Sequence, residues 1–100
     1  MSTQAQLESY EEVKLTREIL HKKILDVLDA HPEGLTAFEI APLIGRATRQ
    51  DVAPRLTEIR QLGLVYPTHE KRINPETGRS GQVYVAIQHL EKWLSSKYGN

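Results

Sequence analysis

The chain has 100 residues, of which 39% are hydrophobic and 26% charged, values typical of one globular domain rather than a disordered chain. It contains no cysteine, which excludes a disulfide framework, a thiolate zinc site and a cysteine nucleophile. Its 13 basic and 13 acidic residues cancel overall, but residues 1–45 carry four cations and eight anions, whereas residues 46–82 carry seven and four. Because phosphate affinity depends on local charge, the second segment is the candidate nucleic-acid-binding region.

The N-terminal segment MSTQAQLESYEE lacks the basic patch and apolar core of a signal peptide. No apolar run approaches the roughly 18 residues needed to cross a bilayer. We therefore expect a cytoplasmic protein. Residues 1–15 are expected to form an N-terminal extension that is partly flexible or helical, because Leu7, Tyr10 and Val13 are spaced to continue a helix upstream.

The first clear helical pattern begins after Thr16, which is suited to cap the helix start. The apolar residues that recur at steps of three and four are Leu20, Ile24, Val27 and Leu28. The helix is expected to end near Ala30, because Pro32 disfavours helical geometry at His31.

A second, short helix is predicted by the T-x-x-E capping box of Thr36 and Glu39. Its apolar residues are Phe38, Ile40, Leu43 and Ile44. Gly45 supplies the left-handed conformation common just past a helix end. Before this helix, Leu35 and Thr36 are expected to form a brief extended segment.

A third helix is predicted by a second capping box, Thr48 with Asp51. Its apolar stripe consists of Val52, Leu56, Ile59 and Leu62, and Gly63 ends it. The order helix, glycine turn, helix is that of a helix-turn-helix. Pro42 and Pro54 conflict with it, since each would remove a hydrogen bond inside a predicted helix. Either the caps are misplaced or the helices bend.

The hydrophobic period changes to two after Leu64, so residues 64–66 and 82–87 are predicted strands. The turn formers between them, residues 74–78, favour a hairpin with a long polar tip. A C-terminal helix follows, with Leu90, Trp93, Leu94 and Tyr98 on one side.

The segment ATRQDVAPRLTEIRQLGLV (residues 47–65) combines a polar helix start, inward Val52 and Leu56, and the closing residues LGLV. It resembles winged helix-turn-helix DNA-binding domains, especially small winged-helix proteins of bacteriophage and prophage genomes and more distantly MarR-like and ArsR-like repressors. This resemblance implies an α+β fold, with a three-helix core, a two- or three-stranded β-wing and a C-terminal helix. The winged-helix domain would span residues 16–88, and residues 89–100 would form the C-terminal helix.

The resemblance also implies that the chain binds double-stranded DNA as a small transcriptional regulator. The recognition helix would span about residues 48–62 and the basic wing about residues 69–82. The implied DNA-binding residues of the helix and its preceding turn are Arg46, Thr48, Arg49, Gln50, Pro54, Arg55 and Thr57. Those of the wing are Lys71, Arg72, Arg79, Ser80 and Gln82. Arginine and glutamine side chains can pair with guanine and adenine edges, and the helix start can receive a phosphate.

The C-terminal helix has two interpretations. Leu90, Trp93, Leu94 and Tyr98 pack on the chain's own core, or they form a dimerisation surface like the flanking helices of winged-helix dimers. A two-fold homodimer would present two recognition helices to one pseudo-palindromic site.

Other classes of function find little support in the sequence. The four histidines are scattered without metal-ligand spacing, and no catalytic motif occurs, so we expect no metal, no cofactor and no enzymatic activity. The zero net charge and the acidic first helix favour one alternative, a winged-helix protein-interaction module in a replication or transcription assembly.

Overall fold

The computed structural model describes residues 16–45 and 48–99. Over these residues the chain is an α+β fold of four α-helices and a two-stranded antiparallel sheet. The elements are α1 (Arg17–Ala30), α2 (Ala37–Leu43), α3 (Arg49–Gln61), β1 (Val65–Ile73), β2 (Ser80–Ala86), a 3₁₀ turn (Ile87–His89) and α4 (Leu90–Tyr98). The predicted N-terminal extension, residues 1–15, lies outside the described residues.

The predicted helix starts are confirmed. Thr16 accepts a hydrogen bond from the backbone N–H of Ile19, three residues into α1. The Thr36–Glu39 and Thr48–Asp51 pairs each form a complete capping box, in which both side chains satisfy backbone N–H groups. Local side-chain chemistry therefore fixes where these three helices begin.

Both prolines lie inside helices, so the predicted caps were not misplaced. Pro42 belongs to α2 and Pro54 to α3. Each lacks the N–H that would bond the carbonyl four residues earlier, at Phe38 and Gln50 respectively. Gly63 has a φ of 79° just past α3, which confirms the predicted left-handed helix end.

The main core lies where α1, α2 and α3 pack together over one end of the sheet. Its largest fully buried side chains are Ile24, Leu28, Ile40, Val52, Leu56 and Ile59. Val65 and Ala86, partners in the sheet register, close this core from the hairpin side. The helical stripes read from the sequence therefore face one another, as the hydrophobic effect requires.

The hairpin is longer than expected and its tip is shorter. The tip comprises only residues 74–79, because Lys71 and Arg72 continue β1 while Ser80 and Gln82 begin β2. The prediction of a long polar tip was wrong. A register irregularity between Pro67 and Lys71 interrupts the alternation of side chains, so the two-residue hydrophobic pattern that predicts a strand does not continue through this part of β1.

The brief extended segment after α1 is confirmed. Leu35 forms an isolated antiparallel bridge with Tyr84, with backbone hydrogen bonds of 2.9 and 2.8 Å. This bridge ties the turn between α1 and α2 to the outer edge of β2.

Helix α4 packs against β2 through Trp93, which is only 5% exposed. Trp93 is therefore buried in the chain's own fold, as the first of the two interpretations of this helix expects. Leu90 is half-buried, whereas Leu94 and Tyr98 are exposed. In the part of the chain that the structure describes, no helix is long and apolar enough to cross a membrane.

Candidate nucleic-acid interface

One side of α3 is open to solvent and free of carboxylates. Because Val52, Leu56 and Ile59 are buried, the opposite side of the helix points outward. We call Gln50, Ala53, Pro54 and Thr57, all exposed, the exposed α3 face. Of the predicted contacts, Gln50, Pro54 and Thr57 are thus displayed together.

The start of α3 is occupied by its own cap. The Thr48 hydroxyl donates to Asp51 Oδ2 at 3.0 Å and accepts the Asp51 N–H at 3.3 Å. The Thr48 N–H donates to the same carboxylate at 2.7 Å. The hydrogen that Thr48 would offer a phosphate is therefore already used. Arg46 lies outside the described residues, as does the side chain of Arg49.

Arg55 does not point outward as predicted. Its Nε lies 2.9 Å from Glu58 Oε1, without the alignment of a hydrogen bond, and its side chain is only 22% exposed. From α1, His21 Nε2 lies 2.7 Å from the same oxygen and Arg17 Nε lies 3.4 Å from Oε2. We call Arg17, His21, Arg55 and Glu58 the Glu58 cluster.

The Glu58 cluster fastens α1 to α3. The His21 hydrogen bond, assisted by the charges of Arg17 and Arg55, lowers the pKa of Glu58 below its ordinary value of 4.5. Arg55 is therefore held in an ion pair with Glu58 in this structure, and its role as a DNA contact stays a prediction.

Arg72 is likewise a structural residue. Its guanidinium donates to the Gly34 carbonyl at 3.0 Å, to Glu39 Oε1 at 2.8 Å and to the Glu33 carbonyl at 3.4 Å. Glu39 also caps α2, so one carboxylate serves both elements. Arg72 thus fastens the hairpin to the turn before α2, and its role as a wing contact stays a prediction.

The neighbouring residue Lys71 lies on the other side of the hairpin. Its register partner is Gln82, and paired residues of an antiparallel sheet share a face. We call Lys71 and Gln82 the open hairpin face; Ile73 and its partner Ser80 lie on the same side. Arg79 is exposed in the tip.

The open hairpin face and the exposed α3 face meet at a shallow cleft of about 170 Å³. Ala53 and Thr57 line it from α3, and Gln82 and Tyr84 line it from β2. The Gln82 amide donates to the Thr68 carbonyl at 3.1 Å, which holds it beside the cleft. The tertiary fold therefore joins parts of the two predicted contact regions into one surface.

Sequence reasoning missed two residues of this region. Ala53 was overlooked, although its spacing of three from Gln50 and four from Thr57 places it on the same helix face. Glu39 was recognised as a cap, but its bond to Arg72 links residues 33 positions apart, and no local pattern reveals such a contact.

Comparisons of the chain with protein-family models, curated protein sequences and solved structures found no match. Functional inference for this chain therefore starts from the geometry of its own surface.

Proposed function

We propose that the chain binds double-stranded DNA as a small winged-helix regulator, with the exposed α3 face in the major groove. The open hairpin face would lie against the adjacent sugar–phosphate backbone. The observation that carries the proposal is the continuity of these two faces at the cleft between Ala53, Thr57 and Gln82. One duplex can touch both at once.

The dimensions of α3 support this placement. A helix with its side chains is about 10–12 Å across, and the major groove of B-DNA is about 12 Å wide. Helix α3 extends from Arg49 to Gln61, and its exposed face begins at Gln50 in the first turn and runs to Thr57. Side chains near the start of a recognition helix are the ones that typically reach base edges.

The distribution of charge supports it as well. The two carboxylates of α3 are held away from the exposed face, Asp51 in the cap and Glu58 in its cluster. Arg60, Lys71 and Arg79 are exposed and form no ion pair with another described residue. These cations are suited to phosphate contacts, which supply affinity independent of sequence.

The test is fluorescence anisotropy with a labelled random-sequence duplex, starting at about 50 mM salt. Binding should weaken linearly on a log–log plot as salt rises, because neutralised phosphates release counterions. The variant Lys71→Glu/Arg79→Glu should weaken binding to every duplex by roughly tenfold, about 1.4 kcal/mol. Lys23→Glu/Lys92→Glu reverses the same amount of charge at exposed positions on α1 and α4 and should bind as the parent does. Absence of duplex binding at low salt would exclude the proposal.

Exposed apolar side chains favour a second candidate, a protein-interaction module. Leu62 and Ile73 are 66% and 68% exposed, and burial of such groups drives protein association. A partner recovered from native lysate would support this candidate if its binding resisted both high salt and the Lys71→Glu/Arg79→Glu change. Loss of that partner in Leu62→Ser, with the fold retained, would place the contact.

A further inference from the structure

The chemistry of the exposed α3 face suggests which base pairs it reads. Thr57 Oγ1 donates to the Ala53 carbonyl at 3.4 Å, within the helix. This back-bond turns the hydroxyl toward the backbone and leaves the threonine methyl for the outer surface. Beside it, Ala53 adds a second methyl at the edge of the cleft.

The group on this face that is suited to base hydrogen bonds is Gln50. Its side chain is exposed, and it makes no hydrogen bond to another described residue. Gln50 and Ala53 are three residues apart, a rise of about 4.5 Å along the helix, close to one base-pair step. Arg55, whose guanidinium would suit guanine, is held by Glu58.

In the major groove, thymine is distinguished by its 5-methyl group and adenine by its N6 and N7 atoms. Alanine and threonine methyl groups suit the thymine methyl, and a glutamine amide suits adenine. Guanine is most often read by arginine or lysine.

We propose that the exposed α3 face selects A·T pairs, with a thymine methyl packed against Ala53 and Thr57 and an adenine bound by Gln50. This inference rests on the proposed DNA binding and adds the base chemistry that the same surface recognises. It makes Thr57 a specificity-determining residue through its methyl group rather than its hydroxyl.

The experiment begins with selection of bound duplexes from a random pool, which should enrich A·T pairs. Each thymine of a selected site is then replaced singly by uracil, which removes only the 5-methyl group. Affinity measured by anisotropy should fall about fourfold at the contacted thymine, since one buried methyl group contributes roughly 0.8 kcal/mol.

Two variants identify the protein side of the contact. Thr57→Ser keeps the hydroxyl and removes the methyl, so the ratio of thymine to uracil affinity should fall below that of the parent, leaving only the part that the Ala53 methyl supplies. Thr57→Val keeps the methyl and should preserve the ratio of the parent. Thermal unfolding of both should match the parent, because Thr57 is exposed.

The outcomes separate this inference from the proposed function. Tight binding with equal affinity for thymine and uracil at every position would overturn the inference alone. A thymine-to-uracil affinity ratio in Thr57→Ser equal to that of the parent would also overturn it. No binding to any duplex would overturn both.

Discussion

Lys71 and Arg72 are adjacent cations in β1, yet the two sides of the hairpin use their charges differently. Arg72 is 31% exposed and fastened to Glu39 and the 33–34 turn. Lys71 points to the opposite side, beside Gln82, and makes no ion pair with another described residue. Strand alternation thus places one charge in contacts within the fold and leaves the other exposed on the opposite side.

Helix α3 repeats this contrast. Arg55 faces α1 and meets Glu58, whereas Thr57, two positions later, is exposed on the outer side. A basic residue in a positively charged segment of the sequence therefore does not always lie on the exposed face of that segment. If the side that carries the ion pairs is separate from the exposed side, substitutions on the first should change stability and substitutions on the second should change DNA binding.

The largest effect is expected at Gly34, which lies against the side of the hairpin that carries Arg72. Gly34 has a φ of 89°, and an added Cβ would lie 2.6 Å from Val83 Cγ1 and 2.9 Å from Val85 Cγ1. Gly34→Ala should lower the free energy of unfolding by about 2–4 kcal/mol through backbone strain and overpacking. Urea denaturation measures this.

Gly78→Ala is the matched control, because Gly78 has a φ of 74° in the exposed tip with nothing within 4 Å of an added Cβ. It should lose only the backbone contribution, about 1–2 kcal/mol. Equal losses in the two variants would contradict close packing of Gly34 against β2.

Removal of the Arg72 guanidinium should have the next largest effect. Arg72→Ala leaves Glu39 and the Gly34 carbonyl without this donor and should lower the free energy of unfolding by about 1–2 kcal/mol. Arg79→Ala, at the exposed tip, should change it by less than about 0.5 kcal/mol. Similar denaturation curves for the two variants would argue against the assigned role of Arg72.

In DNA titrations, substitution of the exposed Lys71 should have a larger effect than substitution of the ion-paired Arg55. Lys71→Ala should reduce the log–log salt slope by about one and leave stability unchanged. Arg55→Ala should reduce the slope less than Lys71→Ala does, because Arg55 is held in an ion pair with Glu58. An equal reduction in the two variants would show that the Glu58 cluster opens when DNA binds.

The smallest effect concerns the pH dependence of the Glu58 cluster. The pKa of Glu58 is lowered in the fold, chiefly by the His21 hydrogen bond. The stabilisation that ionised Glu58 gives the folded chain is therefore fully present above pH 4.5, the ordinary pKa, and is lost as the pH falls through the lowered pKa of the folded chain. Glu58→Gln should therefore be less stable than the parent at pH 6. The difference should close as pH is lowered below 4.5.

Chemical denaturation at a series of pH values measures this difference. Glu76→Gln removes a carboxylate from the exposed tip and controls for the loss of one negative charge. A stability difference for Glu58→Gln that stays constant down to pH 3 would show that ionisation of Glu58 does not stabilise the fold.

The helix starts were predictable because their causes are local. Each capping box joins side chain and backbone across three residues, as in Thr36 and Glu39. The extent of the hairpin was not predictable in this way. Thr68 sits buried in β1 because its hydroxyl donates to the Val83 carbonyl at 2.9 Å, and only strand pairing supplies that acceptor.

By itself, the sequence determined the three capped helices, the glycines that follow two of them and the pairing of two strands, since these depend on neighbours along the chain. Tertiary structure decided which cations remain available. Arg55 shares Glu58 with two side chains from α1, and Glu39 holds Arg72 from 33 positions away. The pairs that join α1 to Glu58 and Glu39 to Arg72 meet only after the chain has packed, so the composition of a segment does not give the charge of its surface.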